Sequence, residues 1–113
     1  IGNYYVGSDG LWIPDNSISL EEQNALNKAL DYLKILAFSR SGLIEQLQYE
    51  GFSLEASTYA ADNCGANWYE QAAKKAQNYL EILSFSRQRL IEQLVFDGFT
   101  QEQAEYGASS VGY

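Results

Sequence analysis

Few side chains in this chain could do chemistry, and they are poorly matched to catalysis. The 113 residues include no His and a single Cys, Cys64. A nucleophilic or redox thiol needs a His or a basic neighbour to lower its pKa, and a structural zinc site draws mainly on Cys and His. Cys64 is therefore expected to be a small buried core residue. Carboxylates are the other candidates, since 15 Asp plus Glu stand against seven Lys plus Arg, for a net charge of −8. Paired carboxylates can serve as acid and base, but Glu45 and Glu92 recur at equivalent places in a repeat, as a solvated face would also give. No Gly-rich phosphate loop, nucleophile elbow or calcium loop occurs. The sequence predicts no enzyme, no cofactor and no metal site. Instead the acids Glu45, Glu50, Asp62, Glu92, Asp97 and Glu105 form a candidate surface for a basic or amphipathic polypeptide, set against the plainer reading of a solvated face.

The elements that position these residues follow from an internal repeat. Ala25 to Phe52 recurs 47 residues on as Ala72 to Phe99, with roughly half of the positions identical, including Phe38-Ser39-Arg40 against Phe85-Ser86-Arg87. A repeat of this length is one supersecondary unit used in tandem. Each copy is near the lower size limit for an independent core, so contact between copies is expected to matter. The chain divides into an irregular arm (1–17), a first repeat (18–65) and a second repeat (66–113). The arm holds three of the nine Gly and the only Pro. Its Tyr4, Tyr5, Trp12 and Ile13 are apolar enough to dock. Leu26 and Leu30, where the second copy has Ala73 and Gln77, either seat the arm or reflect drift between copies.

Each repeat reads as three helices, giving an all-α fold of two tandem helix-turn-helix-like units. Ser19-Leu-Glu-Glu22 is a capping-box pattern, and Asn67 takes the equivalent place in the second copy. Ala25, Ala29, Tyr32, Leu33 and Leu36, matched by Ala72, Ala76, Tyr79, Leu80 and Leu83, fall at helical spacing on one face that should be core. Ser39 and Ser86 should cap a second helix, whose apolar stripe is Leu43, Ile44 and Leu47 (Leu90, Ile91 and Leu94). Gly51-Phe52-Ser53 and Gly98-Phe99-Thr100 should end it: Gly left-handed, Phe over the core, Ser or Thr capping the third helix. That helix carries a stripe of small residues, Ser57, Ala60, Ala61 and Cys64 against Ala104, Gly107, Ala108 and Val111, which allows close helix approach.

Arg40 and Arg87 fall in the first turn of the second helix, where a cation opposes the helix dipole. A repeated unfavourable placement calls for a compensating partner. Glu55 and Glu102, the repeated acids near the start of the third helix, are the leading candidates for a structural ion pair in each unit. The alternative is an exposed Arg that meets a ligand.

A helix-turn-helix pattern invites a DNA-binding reading, but the electrostatics oppose it. The third helices, LEASTYAADN and QEQAEYGASS, each carry two acids and no base, whereas DNA affinity comes largely from Lys and Arg on phosphates. Seven acids against three bases give the first repeat −4, and six against four give the second −2, so charge favours the first repeat or the seam as a dock. No run of about 18 apolar residues, as a spanning helix needs, occurs.

The joined motifs resemble a known family. Tyr32 to Leu47, Gly51 to Ser53, Tyr59 to Trp68 and Glu70 to Ala72, repeated from Tyr79 to Tyr106, are similar to the Ltp-type host cell surface-exposed lipoprotein repeat. The resemblance implies a monomeric ectodomain, held on the outer face of a Gram-positive cytoplasmic membrane only through an N-terminal lipid anchor that these residues do not include. It also implies superinfection exclusion, in which a prophage-encoded lipoprotein engages the incoming phage tape measure protein and blocks DNA injection. Not every protein with the repeat is antiviral. The other reading it leaves is a bacterial surface scaffold that binds a host ligand.

Overall fold

The computed structural model describes residues 18–113; the arm, with its expected docking, lies outside them. Among the described residues the fold is all-α, with no strand: α1 (Leu20–Ile35), α2 (Arg40–Tyr49), α3 (Leu54–Asn63), α4 (Trp68–Ile82), α5 (Arg87–Phe96) and α6 (Gln101–Ser110). Every helix starts on a side chain that accepts a bond from a backbone N–H otherwise left unpaired. Ser19 does so for Glu22 in a reciprocal capping box, Ser39 for Gly42, Ser53 for Ala56, Asn67 for Tyr69 and Glu70, Ser86 for Arg89, and Thr100 for Gln103. The second helices stop on a paired Gly signal. Gly51 and Gly98 both sit at φ 107. The following Phe52 and Phe99 N–H groups reach back to the Leu47 and Leu94 carbonyls at 3.1 Å. That is the Schellman closure, and it turns each third helix back along the second.

Within each unit the first helix packs mainly on the third, and the second helix closes one side. The first core joins Ala25, Ala29, Leu43, Leu47, Ala56, Ala60 and Ala61. The second joins Ala72, Ala76, Leu90, Ile91, Leu94, Phe99, Ala104 and Ala108. Alanines on the facing helices let the backbones approach until only hydrogen fits at Gly107, where a Cβ would stand 2.8 Å from the Ala72 carbonyl oxygen. Leu43, Leu47, Leu90 and Leu94 fill the remaining space and are fully buried, each stabilising its unit by about 1.5–3 kcal/mol.

Two expectations about the core need correction. Leu36 and Leu83 lie one residue beyond the ends of α1 and α4, in extended backbone, and are 53% exposed. Helical periodicity cannot place a residue once the helix has stopped. Cys64 is half-buried and not fully buried. It is the C-cap of α3, packed against the edge of the core, with its Sγ donating to the Ala61 carbonyl at 3.3 Å.

The two units meet in a joint built from the α1–α2 connection and the first turn of α2. The Phe38 N–H donates to the Gln71 side-chain carbonyl at 3.0 Å. Ser39 Oγ donates to the Asp97 carbonyl at 2.7 Å and Ser41 Oγ to the Gly98 carbonyl at 3.3 Å. Ala37, Ser39 and Gln71 are buried there. The same register in the second unit carries Ser84, Ser86, Gln88 and Arg89 where the first has Ala37, Ser39, Ser41 and Gly42, and all four are exposed. Gln88 and Arg89 thus put bulk and charge where the first unit sets Ser41 and Gly42 against the joint. The result is an elongated body of 57 × 23 × 21 Å.

Candidate partner-binding surface

The six candidate acids are not one free patch. Glu50 accepts a bond from the Tyr32 hydroxyl and Asp97 one from the Tyr79 hydroxyl. Each belongs to a cluster built twice. Gln46 and Gln93 donate to the Tyr32 and Tyr79 hydroxyl oxygens. Phe38 and Phe85 lie edge-on at 5.6 Å, and Lys28 and Lys75 stand over the rings at 5.7 Å. Burial, then the bond to Asp97 and the repulsion from its charge, push the Tyr79 phenol up to about 12. The bond to Glu50 raises Tyr32 as well. These clusters clamp the first helix of each unit to the end of the second, and Asp97 also serves the joint through its carbonyl.

Asp62 is held by Arg40 through two parallel bonds, Nε to Oδ1 at 2.7 Å and a terminal nitrogen to Oδ2 at 3.0 Å. The Arg40 guanidinium holds the Asp62 carboxyl below its usual range, and Asp62 in turn raises Arg40. The partner of Arg40 is thus Asp62 and not Glu55. Because α3 folds back along α2, the first turn of α2 faces the last turn of α3, whereas Glu55 sits in the first turn of α3. In the second unit Ser109 occupies the place of Asp62, and neither Glu102 nor any other described acid makes an ion pair with Arg87. Glu55 and Glu102 lie in the first turns of α3 and α6, where a negative charge suits the helix dipole. Glu92 accepts from Gln88 and from Arg89, and those bonds lower its pKa. Glu105 accepts from Gln101 at 2.9 Å. Glu45 is exposed and makes no side-chain bond among the described residues. Glu92 and Glu105 share a groove between α5 and α6.

A second surface feature was missed by sequence reasoning. Ile35 and Ile82 are 77% and 76% exposed, and Tyr49 and Phe96 are 86% and 85% exposed. With Leu36 and Leu83, they form apolar pairs retained in both copies off the core face, so the available signal was retention without burial. Ile35 and Leu36 line a groove of about 300 Å³ at the seam, opposite Lys74, Gln77 and Glu81 of α4. Phe96 overhangs a hollow with Ser84, Phe85 and Gln93. Exposed apolar groups rimmed by charge suit polypeptide recognition. Among the described residues no group of three potential metal ligands gathers, and no helix is long and apolar enough to cross a membrane.

The two units coincide with two matches to the profile of the host cell surface-exposed lipoprotein family, over residues 20–64 and 67–111. The chain belongs to that family. Its fold is similar to the solved structure of Ltp, a superinfection exclusion protein from the Streptococcus thermophilus temperate phage TP-J34. The TM-score is 0.77 at 37% identity, covering 82% of this chain and 97% of that one. No curated protein sequence matches. The expected Ltp-type fold and family are thereby established, and the paired helical units are the family's repeat.

Proposed function

We propose that this Ltp-type protein confers superinfection exclusion: held by a lipid anchor on the outer face of a Gram-positive cytoplasmic membrane, it binds the incoming phage tape measure protein and blocks DNA injection. The observation that carries the reading is the similarity along nearly the whole length of a superinfection exclusion protein. The surface is suited to it. A chain of net charge −8 attracts a basic segment, and the twice-built apolar pairs Ile35/Ile82 and Tyr49/Phe96 offer an amphipathic helix two equivalent footholds. The mechanism is occupancy, with no bond made or broken.

The test is binding of tape measure segments to the purified protein across ionic strength. Affinity should fall between about 0.01 and 1 M salt, where the screening length shrinks from about 30 to 3 Å. A protein that binds no segment at low salt contradicts the reading.

A further inference from the structure

The joint uses a surface of the second unit that the first unit also possesses. The stretch from Leu33 to Ala37 lies along α4, across a groove that Lys74, Gln77 and Glu81 line from the other side. It runs toward the start of α4. There the Phe38 N–H meets the Gln71 side chain, and the Ser39 and Ser41 hydroxyls donate to the Asp97 and Gly98 carbonyls. One repeat earlier, the same surface is Asn24, Leu30, Lys34 and the Glu50–Gly51 turn. It is less covered than its twin: Asn24 is exposed where Gln71 is buried, and Phe52 is half-buried where Phe99 is buried. The Glu50 and Gly51 carbonyls accept no backbone bond among the described residues. Leu30 is 40% exposed at the place of Gln77, the polar residue that faces the connection on α4. Leu26 is not part of this surface, because it packs on the core of its own unit.

We propose that the N-terminal arm, residues 1–17, docks on this surface of α1, with Trp12 and Ile13 over Leu30, in the place that the α1–α2 connection takes on α4. Direction, reach and composition support it. The connection passes α4 from its end toward its start, and an arm turned back along α1 arrives at Ser19 in the same sense. Leu30 lies about 15 Å along α1 from Leu20 at 1.5 Å per residue, and the chain between Ile13 and Ser19 extends to about 20 Å. The arm joins α1 beside the turn, since Glu21 in the first turn of α1 accepts from the Ser53 N–H at 2.8 Å. Trp12 and Ile13 supply adjacent apolar groups, as Leu36 and Ala37 do in the connection, and covering the exposed Leu30 removes apolar surface from water. The other connection, Ser84 to Arg89 of a second copy, fits this surface poorly. A Cβ at Gly42 would already stand 3.5 Å from the Asp97 carbonyl oxygen, so the longer Arg89 side chain holds the equivalent turn away. In a protein anchored at its N-terminus, as proposed above, a docked arm draws the two units toward the membrane; the docking itself does not depend on that reading.

The test is nuclear magnetic resonance on the whole chain. Nuclear Overhauser cross-peaks should join the Trp12 indole and Ile13 methyl protons to the Leu30 methyls, with intensities unchanged on dilution. Leu30→Gln installs the second unit's residue at an exposed site, so this variant should keep its circular dichroism while the Trp12 and Ile13 signals move to solvated values. Trp12→Ser alters no described residue, and it should shift the Leu30 methyl and Gly51 amide signals while leaving the Leu80 methyls of the second unit unmoved. Absent cross-peaks, Leu30 signals indifferent to Trp12→Ser, or cross-peaks that fade on dilution, as an arm or connection from a second copy would give, overturn the inference. Cross-peaks in a protein that binds no tape measure segment support the docking and contradict the proposed function.

Discussion

Two glycines with the same backbone and different surroundings measure what the joint contributes. Gly51 and Gly98 both sit at φ 107 after the second helix of their unit. Alanine at either position meets the left-handed penalty, about 1–2 kcal/mol. At Gly51 the new Cβ meets no atom of the described residues within 4 Å. At Gly98 it would stand 2.1 Å from Ser41 Oγ and 2.6 Å from Ser39 Oγ. The exposed Ser41 hydroxyl can swing aside, giving up its 3.3 Å bond. Ser39 is buried, and its hydroxyl both caps α2 by accepting from Gly42 and donates to the Asp97 carbonyl. Displacing it removes a cap worth about 1 kcal/mol and a hydrogen bond worth about the same. Gly98→Ala should therefore lose about 2 kcal/mol more than Gly51→Ala, which lowers the melting temperature by roughly 8 °C beyond its twin in a domain of this size. Thermal and urea unfolding followed by circular dichroism reads both. Equal losses in the two variants would refute the claim that these contacts lock the units together.

Other outcomes follow from single groups. Ser57 Oγ is buried with no hydrogen-bond partner among the described residues, where the second unit has Ala104, so Ser57→Ala should stabilise the protein by about 1 kcal/mol in urea unfolding. The folded pKa of Asp62 is depressed by Arg40, so its contribution is present above the unfolded carboxylate value and lost as pH falls through the folded one. The pair is half-exposed, which limits the effect to about 0.2–1 kcal/mol. Asp62→Asn should flatten acid unfolding by no more than that. The folded pKa of Tyr79 is raised to about 12, so its contribution is present below the unfolded value of about 10 and lost as pH climbs through the folded one. Stability should decline across that alkaline window, and Tyr79→Phe should lessen the decline, to which the raised Tyr32 also contributes; an ultraviolet phenolate titration with every tyrosine ionising near 10 would refute this.

Most of the architecture was legible because it rests on local chemistry. Caps, the Gly-Phe-Ser stops and the Ala and Leu stripes act within a few residues, and the internal repeat supplied a second reading of each. What escaped depends on the course of the chain in space. The Arg40 partner was sought among repeated acids, but the hairpin brings the non-repeated Asp62 to it. The joint was written in differences between the copies, above all Gly42 in the first turn of α2 against Arg89, whose meaning appears only once Asp97 and Gly98 are seen beside Ser39. Helical periodicity carried Leu36 and Leu83 into the core one residue after the helix had ended. The acid set looked like a face in sequence, whereas Asp97 is half-buried beside the joint and Asp62 is committed to Arg40.

We propose that this protein halts injection by holding the incoming tape measure protein. The most direct measurement is the amount of phage DNA inside cells that display the anchored protein, taken beside adsorption of the same phage. Normal adsorption with little internal DNA is the expected result. Full internal DNA, with the protein present at the surface, would contradict it.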